Sequence, residues 1–321
     1  MIVFHIGLNK TGSSAIQDFF FSNRGALLDR GILYPEAGLA PAAHHGLATY
    51  LDAPSSSPEL DEAYSAAMRH DGLVVFSSEA LQDARNLTRL KAFVAGRPVK
   101  VVVYLRDPVT YIRSWWQQDI QTTSLTCGLA TYARLHWKSY SNILRRWGGA
   151  FGRDSLIVRS YERRRFPQHD VLRDFLKLTG TEDLAEELPR KDYDLNPSIG
   201  GNLLFAKLLF NAMGLPGADS AQLSDGLTEL AKLKPEFAIP PVVDRDLAAA
   251  IFASYREDLA IVAHEFGTNI ALSSDTGGTP TPDLSTLAED LRLIWSEADK
   301  LGLSLSSVRS HIAYAVLPKT T

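Results

Sequence analysis

The sequence predicts an α/β fold: a central parallel sheet with helices on both faces, followed by a helical C-terminal half. Short, largely apolar runs occupy residues 2–4, 73–76 and 99–105, and a polar loop follows each run. Strands that are buried on both faces lose the apolar/polar alternation, so such runs indicate a parallel sheet. Beyond residue 168 the apolar residues follow helical spacing, which predicts helices.

The segments between the apolar runs give the strand-helix-strand order of a parallel sheet. After the first run, Ile16, Phe19, Phe20 and Leu27 share one helical face, and Gly31 ends that helix. The remaining elements are predicted as a short strand at 32–34, helices at 44–50 and 60–69, a helical region at 110–147 broken near Cys127, and a strand at 156–158.

Three polar loops follow strands of the predicted sheet, at residues 7–14, 77–79 and 106–108. The carboxyl ends of parallel strands meet at one edge of the sheet, where ligands bind in such folds. We therefore expect these loops to converge on one site.

Composition sets broad limits on the protein class. The chain has 321 residues, 45% of them hydrophobic, which fits a globular protein of one large or two modest domains. We divide it into a core at 1–180 and a mainly helical extension at 181–321, packed on the core. The net charge of −4 argues against a nucleic-acid partner, because nucleic-acid binding usually shows as a broad basic excess.

Cysteine usage and hydropathy predict a cytoplasmic location. Cys127 is the single cysteine, which excludes an intrachain disulfide framework and a multi-cysteine zinc site. The chain begins with a strand-like run rather than a signal-peptide pattern, and no window reaches about 18 apolar residues. We expect a cytosolic protein without an integral membrane segment.

Residues 5–14 have the composition of an anion cradle. Gly7 and Gly12 let successive backbone N–H groups point inward, and the helix that follows adds unpaired N–H donors and a positive dipole end. Lys10 adds a full charge. Side-chain hydroxyl donors stand at Thr11, Ser13 and Ser14. A phosphate or sulfate is the expected guest, and an ordinary strand-to-helix turn is the alternative interpretation.

The order of residues in this loop differs from that of nucleotide triphosphatases. Their loop places a lysine directly after the second glycine, whereas Lys10 stands two residues before Gly12. A second pair of residues supports anion binding: Arg106 ends an apolar run, and Ser114 follows it by eight positions on the next predicted helix. An arginine fork and a hydroxyl at that distance can close on one phosphate from two sides.

Together the two motifs resemble the sulfotransferases that use 3′-phosphoadenosine 5′-phosphosulfate (PAPS). The K-T-G-S-S sequence at residues 10–14 resembles the family loop that holds the 5′-phosphosulfate, and Arg106 and Ser114 match the pair that holds the 3′-phosphate. The opening H-I-G-x-x-K-T-G-S-S and the later L-R-D-P-V are similar to bacterial carbohydrate-type members. This resemblance covers roughly residues 1–180.

The resemblance implies a P-loop-type three-layer fold, PAPS as donor, adenosine 3′,5′-bisphosphate as product and no metal. It implies a hydroxyl acceptor, carbohydrate or glycolipid, with the helical extension contributing to the acceptor site. Tyr161 matches a family tyrosine that lies beside the adenine, and a packed tyrosine at a strand end is the alternative. Lys10 is expected to stabilise the leaving oxygen.

Sulfuryl transfer to a hydroxyl needs a base, and three residues are candidates. Glu79 ranks first because it follows a strand at a place similar to the catalytic histidine of cytosolic family members, although a helix-capping role is the alternative. His45, beside His44, ranks second, and Glu36 ranks third. His5 lies inside the first strand and is interpreted as a packed core histidine.

Two questions stay open on the sequence alone. Arg163, Arg164 and Arg165 form the densest basic stretch, which either attracts a polyanionic donor or an acidic glycan, or is simply solvated. The alternative functions are a kinase or NTPase that uses ATP and magnesium, and a non-catalytic nucleotide-binding module. The acceptor and the oligomeric state do not follow from the sequence.

Overall fold

The computed structural model describes residues 1–55, 57–94, 96–191, 198–214, 217–273 and 276–301. Its centre is a five-stranded sheet in the order β2-β3-β1-β4-β5, and every neighbouring pair is parallel. The strands are β1 (Ile2–His5), β2 (Ile32–Leu33), β3 (Leu73–Ser77), β4 (Val99–Leu105) and β5 (Leu156–Ser160). The predicted α/β fold with a parallel sheet is confirmed.

Helices occupy most of the remaining described chain, and they dominate after residue 168 as the sequence predicts. They are α1 (Ser13–Ser22), α2 (Arg24–Leu28), α3 (His45–Asp52), α4 (Pro58–Met68), α5 (Leu87–Val94), α6 (Pro108–Thr122), α7 (Leu129–Leu135), α8 (Tyr140–Phe151), α9 (Val171–Thr179), α10 (Leu184–Glu187), α11 (Gly201–Ala212), α12 (Gly217–Leu233), α13 (Arg245–Phe266) and α14 (Leu287–Lys300).

Successive residues of β1 face opposite sides of the sheet, and helices pack on the side chains of both sides. Val3 belongs to the core that contains Phe20 of α1 and Phe175 of α9, whose rings meet edge to face at 5.7 Å. Phe4 points the other way and contacts Trp147 of α8 at 5.7 Å between ring centroids. All five of these side chains are fully buried, and each such burial stabilises the fold by about 1.5–3 kcal/mol.

The helix predicted over residues 16–27 is two helices, because the chain bends at Asn23. The backbone of Asn23 leaves the helical region (φ −106°, ψ 12°). Its side-chain amide donates to the carbonyl oxygens of Phe19 and Pro189, at 2.8 and 2.9 Å. An asparagine that bonds its own preceding turn competes with the helical ladder, which explains the break.

The chain forms two compact units, each built from separate segments. The first comprises Met1–Pro108, Lys138–Asp192 and Ala253–Leu272 and holds the whole sheet; the second comprises Val109–Trp137, Tyr193–Phe252 and Ser273–Thr321 and is helical where it is described. The division at residue 180 into a core and an acceptor-binding extension stays a prediction. Among the described residues, no helix combines the length and apolar character needed to cross a membrane.

Candidate functional site

The loop after β1 is held in a fixed shape by its own backbone and by Arg106. Lys10 (φ 63°) and Gly12 (φ 79°) both adopt the left-handed region, which costs a non-glycine residue about 1–2 kcal/mol. The Thr11 hydroxyl donates to the carbonyl oxygen of Leu8 at 2.6 Å, and Arg106 Nη1 donates to the carbonyl oxygen of Lys10 at 2.7 Å. The loop is therefore shaped before any guest binds.

The space beside Gly7 is surrounded by polar atoms. A methyl group on Gly7 would lie 2.7 Å from Nε2 of His5, 3.2 Å from Oγ1 of Thr11 and 3.3 Å from Oγ of Ser13. The His5 and Ser13 atoms are buried and have no hydrogen-bond partner in the structure. Because buried polar atoms are normally hydrogen-bonded, these two atoms indicate a place for a polar guest or water.

Arg106 and Glu79 both lie close enough to Lys10 to act on it electrostatically. Burial lowers the pKa of Lys10 from its ordinary value, the Arg106 charge lowers it further, and the Glu79 carboxylate opposes both. Lys10, Glu79 and Arg106 stand on the three loops that follow β1, β3 and β4. The expected convergence of these loops at one edge of the sheet is confirmed.

Glu79 is oriented by a side chain of α1. It begins a short 3₁₀ turn (Glu79–Asp83), and the Ser78 hydroxyl caps that turn by accepting the Ala80 N–H at 3.1 Å. The amide nitrogen of Gln17 donates to Glu79 Oε2 at 2.7 Å, and Gln17 is itself buried. The first turns of α1 thus position both the anion loop and this carboxylate.

Sequence reasoning missed Gln17. The signal was present: an amide stands on the buried face of α1 between Ile16 and Phe19, where an apolar side chain would be expected. Because a buried amide needs a hydrogen-bond partner, a glutamine at this position predicts a polar group close to it.

The adjacent histidines have different environments. His44 is fully buried, accepts the Ser77 N–H on Nδ1 at 3.1 Å and therefore donates from Nε2 to the carbonyl oxygen of Pro35 at 2.9 Å. Burial lowers its pKa to about 4. His45 is half-buried, and its Nδ1 lies 2.7 Å from the Ser78 hydroxyl. His44 is a neutral structural link, whereas His45 lies next to the strand end that carries Glu79.

His5 is a core residue, as predicted. Its side chain has no exposed surface, its ring packs on Tyr104 and Phe175, and its Nδ1 lies 2.7 Å from the Ser77 hydroxyl. Burial lowers the pKa of His5 to about 3, so the ring is neutral at physiological pH. Glu36 is different: its side chain is 80% exposed and forms an ion pair with Arg24 at the surface.

Tyr161 lies against the anion loop. Its N–H donates to the carbonyl oxygen of Leu105 at 2.7 Å, and a methyl group on Gly12 would lie 3.4 Å from its hydroxyl. The guanidinium of Arg106 lies 5.7 Å from the centre of the Tyr161 ring, within cation–π distance. The structure therefore brings Tyr161 together with the loop and with Arg106.

The remaining predicted residues are placed differently. Ser14 is exposed in the first turn of α1, and Thr11 uses its proton on Leu8, so that proton is not directed at a guest. Ser114 is half-buried on α6, within the second compact unit, and its pairing with Arg106 on a 3′-phosphate stays a prediction. Among the described residues, no group of three or more His, Cys, Asp or Glu side chains could hold a metal ion.

Comparisons with known proteins give sparse matches. No family model matches the chain. An uncharacterized protein of Archaeoglobus fulgidus is 28% identical over 128 residues, which are 39% of this chain and 34% of that protein, so the match spans about a third of its length. A sulfotransferase from Alicyclobacillus acidocaldarius aligns structurally over 84% of this chain and 96% of its own, with a TM-score of 0.47 and 17% identity.

Proposed function

We propose that this chain is a sulfotransferase that moves the sulfuryl group of PAPS to a hydroxyl of a carbohydrate or glycolipid. The observation that carries the proposal is the grouping of Lys10, Arg106 and Glu79 at one edge of the sheet. Two cations beside a glycine loop suit a phosphosulfate, and a carboxylate within their field suits a base for the acceptor. The resemblance of residues 10–14 to the PAPS loop agrees with this arrangement.

The donor fits the residues that are present. The loop offers backbone N–H groups, the Lys10 ammonium and the unpartnered hydroxyl of Ser13 to the phosphosulfate. Tyr161 and Arg106 stand together at one side of the loop and would take the adenosine and its 3′-phosphate. PAPS supplies an activated sulfuryl group, and the other contributions below come from the protein.

In the proposed mechanism, Glu79 removes the proton of the acceptor hydroxyl as that oxygen bonds to sulfur. The bond between sulfur and the bridging oxygen breaks, and Lys10 stabilises the negative charge that develops on the departing 5′-phosphate. Gln17 positions Glu79, because its amide occupies one carboxylate oxygen and leaves the other for the acceptor. By analogy with phosphoryl transfer, most of the rate enhancement comes from positioning and electrostatics.

His45 is the alternative base in this proposal. The Ser78 hydroxyl accepts from the Ala80 N–H, so its own proton is available to His45 Nδ1. In that arrangement the Nε2 atom of a neutral His45 carries the proton, so it does not act as a base. The tautomer with its proton on Nδ1 has a free Nε2 that does act as a base. Glu79 requires no particular tautomer, which favours it as the base.

The donor is tested first by calorimetry. We expect adenosine 3′,5′-bisphosphate to bind without magnesium, and Arg106→Ala to weaken that binding about tenfold, the effect of losing a charge-assisted hydrogen bond. Arg69→Ala is the matched control, because Arg69 pairs with Glu62 at the surface. Tighter binding of ATP with magnesium than of the bisphosphate would contradict the proposal and favour a kinase or NTPase.

The base is tested by turnover with PAPS and a panel of hydroxyl acceptors. Glu79→Gln keeps the size of the side chain and removes the base, so we expect turnover to fall about 10²–10⁴-fold with bisphosphate binding unchanged. Glu36→Gln is the control and should keep full activity. Normal turnover of Glu79→Gln would assign the base role to His45. Bisphosphate binding without sulfation of any acceptor would favour a non-catalytic module.

A further inference from the structure

A second concave surface lies beside the edge strand β5, on the face of the sheet that α9 covers. It is a groove of about 590 Å³. Its four basic side chains come from β4, β5, the turn after β5 and α9: Lys100, Arg159, Arg165 and Lys177. Its apolar surface comprises Ile157, Phe166, Pro167 and Leu178. We call this surface the β5 groove.

One of the four cations in the β5 groove is neutralised by a carboxylate that itself lines the groove. Arg159 donates from Nε and Nη2 to Asp174, at 3.2 and 2.5 Å, and the Asp174 side chain is 3% exposed. Tyr104 donates its hydroxyl proton to the same carboxylate at 2.9 Å. Asp174 is the one acidic side chain that lines the groove, and its charge is balanced by Arg159.

Of the other three cations, Lys100 and Lys177 have no carboxylate partner among the described residues, so their charge is available to a ligand. Lys100 donates to the carbonyl oxygen of Leu178 at 3.3 Å, a contact that leaves its charge unbalanced. Arg165 forms an ion pair with Glu162, with its Nε 2.9 Å from Glu162 Oε1, and its side chain is 69% exposed. The Lys177 side chain is exposed, and its ammonium group has no ion-pair or hydrogen-bond partner among the described residues. The groove is therefore a local excess of positive charge in a chain whose net charge is −4.

The β5 groove is separate from the anion loop. The Phe166 ring meets Tyr161, which lies against the loop, at 5.6 Å between centroids, and it meets Tyr104 at 5.7 Å. Phe166 is 4% exposed and also lines the groove. No residue of the anion loop lines the groove, and neither do Tyr161 and Arg106.

We propose that the β5 groove binds an acidic oligosaccharide through its sulfate or carboxylate groups. Cations around an apolar floor suit a ligand with charged substituents on an apolar framework, and a pyranose ring can pack its C–H face on the half-buried Ile157, Pro167 and Leu178. The volume lies within the usual range of ligand sites, about 300–1,000 Å³. The net charge of −4 argues against a nucleic-acid ligand, which would need a broad basic surface. The proposal does not depend on which nucleotide the loop binds.

Isothermal titration calorimetry of the full chain tests the proposal. The probes are a fully sulfated tetrasaccharide, a neutral tetrasaccharide and sodium sulfate. We expect one sulfated tetrasaccharide to bind per chain, the neutral sugar to give no signal, and sulfate alone to bind at least 100-fold more weakly. Arg165→Gln/Lys177→Gln removes two exposed cations of the groove and should weaken tetrasaccharide binding at least tenfold.

The matched control is Arg69→Gln/Lys91→Gln, which also removes two exposed positive charges. Arg69 follows α4 and Lys91 lies in α5, helices that pack on each other, and α5 packs on α8 on the other side of the sheet. Equal weakening by both double variants would overturn the proposal, because attraction would then be diffuse. Unchanged binding in the groove variant, no binding to the native chain, or saturation by sulfate alone would overturn it too. Thermal melting of each variant shows whether it is folded.

Discussion

The anion loop and the β5 groove attract negative charge by different means. The loop, residues 7–14, uses backbone N–H groups, a left-handed Lys10 and a glycine that leaves no room for a methyl group. The groove uses long side chains around an apolar floor, and two of them, Arg165 and Lys177, are exposed. A backbone site is fixed in shape, whereas a side-chain site adapts to its ligand at the cost of side-chain entropy. The loop should therefore be selective for one ligand, whereas the groove should bind several related ligands.

The largest expected difference between the loop and the groove is their response to an added methyl group. Gly7→Ala places a methyl group 2.7 Å from His5 Nε2 and near two hydroxyls, so the loop must shift. Overpacking of this kind costs about 1–3 kcal/mol, and we expect bisphosphate binding to weaken by up to about a hundredfold. Tetrasaccharide binding to the groove should not change. Calorimetry with both probes measures the two effects in one variant.

Gly149→Ala serves as the control for that substitution. Gly149 lies within α8, and a methyl group there meets no atom within 4 Å. Alanine is the better helix former by about 1 kcal/mol, so this variant should melt slightly higher and bind both probes normally. Normal bisphosphate binding by Gly7→Ala would show that the space beside Gly7 has no part in the anion site.

The second prediction concerns the charge of the loop. Lys10→Gln removes the ammonium and should weaken bisphosphate binding about tenfold, the usual effect of a charge-assisted hydrogen bond. Turnover with PAPS should fall further, by about 10²–10³-fold, because the charge on the leaving oxygen develops only in the transition state. Calorimetry measures the loss in bisphosphate binding, and steady-state kinetics measures the loss in turnover. Equal losses in binding and turnover would mean that Lys10 holds the donor without assisting the reaction.

The third prediction uses pH. Burial and the Arg106 charge lower the pKa of Lys10, so its ammonium loses the proton at a lower pH than an exposed lysine does. An anion binds the protonated form better, so affinity is highest below that pKa and falls as the pH rises through it. We expect bisphosphate affinity to decline at a lower pH than the range near 10.4 in which ordinary lysines titrate. The same titration of Lys10→Gln should show a smaller decline.

The smallest expected effect is the response to salt. Mobile ions screen exposed charges more than partly buried ones, and the Debye length falls from about 10 Å at 0.1 M to about 3 Å at 1 M. Tetrasaccharide affinity for the groove should therefore fall more steeply with sodium chloride than bisphosphate affinity for the loop. Calorimetry at several sodium chloride concentrations gives the salt dependence of each affinity, and the two slopes are then compared. Equal slopes would mean that the loop is as open to solvent as the groove.

The sequence predicted the sheet and the loop because their signals are local. Largely apolar runs mark strands that are buried on both faces, and the order of Lys10 and Gly12 marks the loop. Parallel pairing then places the ends of β1, β3 and β4 at one edge, so the meeting of Glu79 with Lys10 followed from topology. This part of the site needed no knowledge of side-chain packing.

The rest depends on contacts between distant parts of the chain. Gln17 meets Glu79 across 62 positions, and Lys100 meets Leu178 across 78. The break at Asn23 involves the carbonyl oxygen of Pro189, 166 positions away. No local pattern encodes such pairs. The β5 groove escaped sequence reasoning for the same reason, although Arg165 belongs to the basic stretch that the sequence singled out.

The backbone of Lys10 has a kinetic consequence. The hydrogen bond from Arg106 holds Lys10 in its left-handed conformation in the free protein. A nucleotide therefore binds to a loop that does not have to rearrange. Encounter and orientation alone should then limit the association rate. Discrimination between nucleotides would lie in how long each one stays bound.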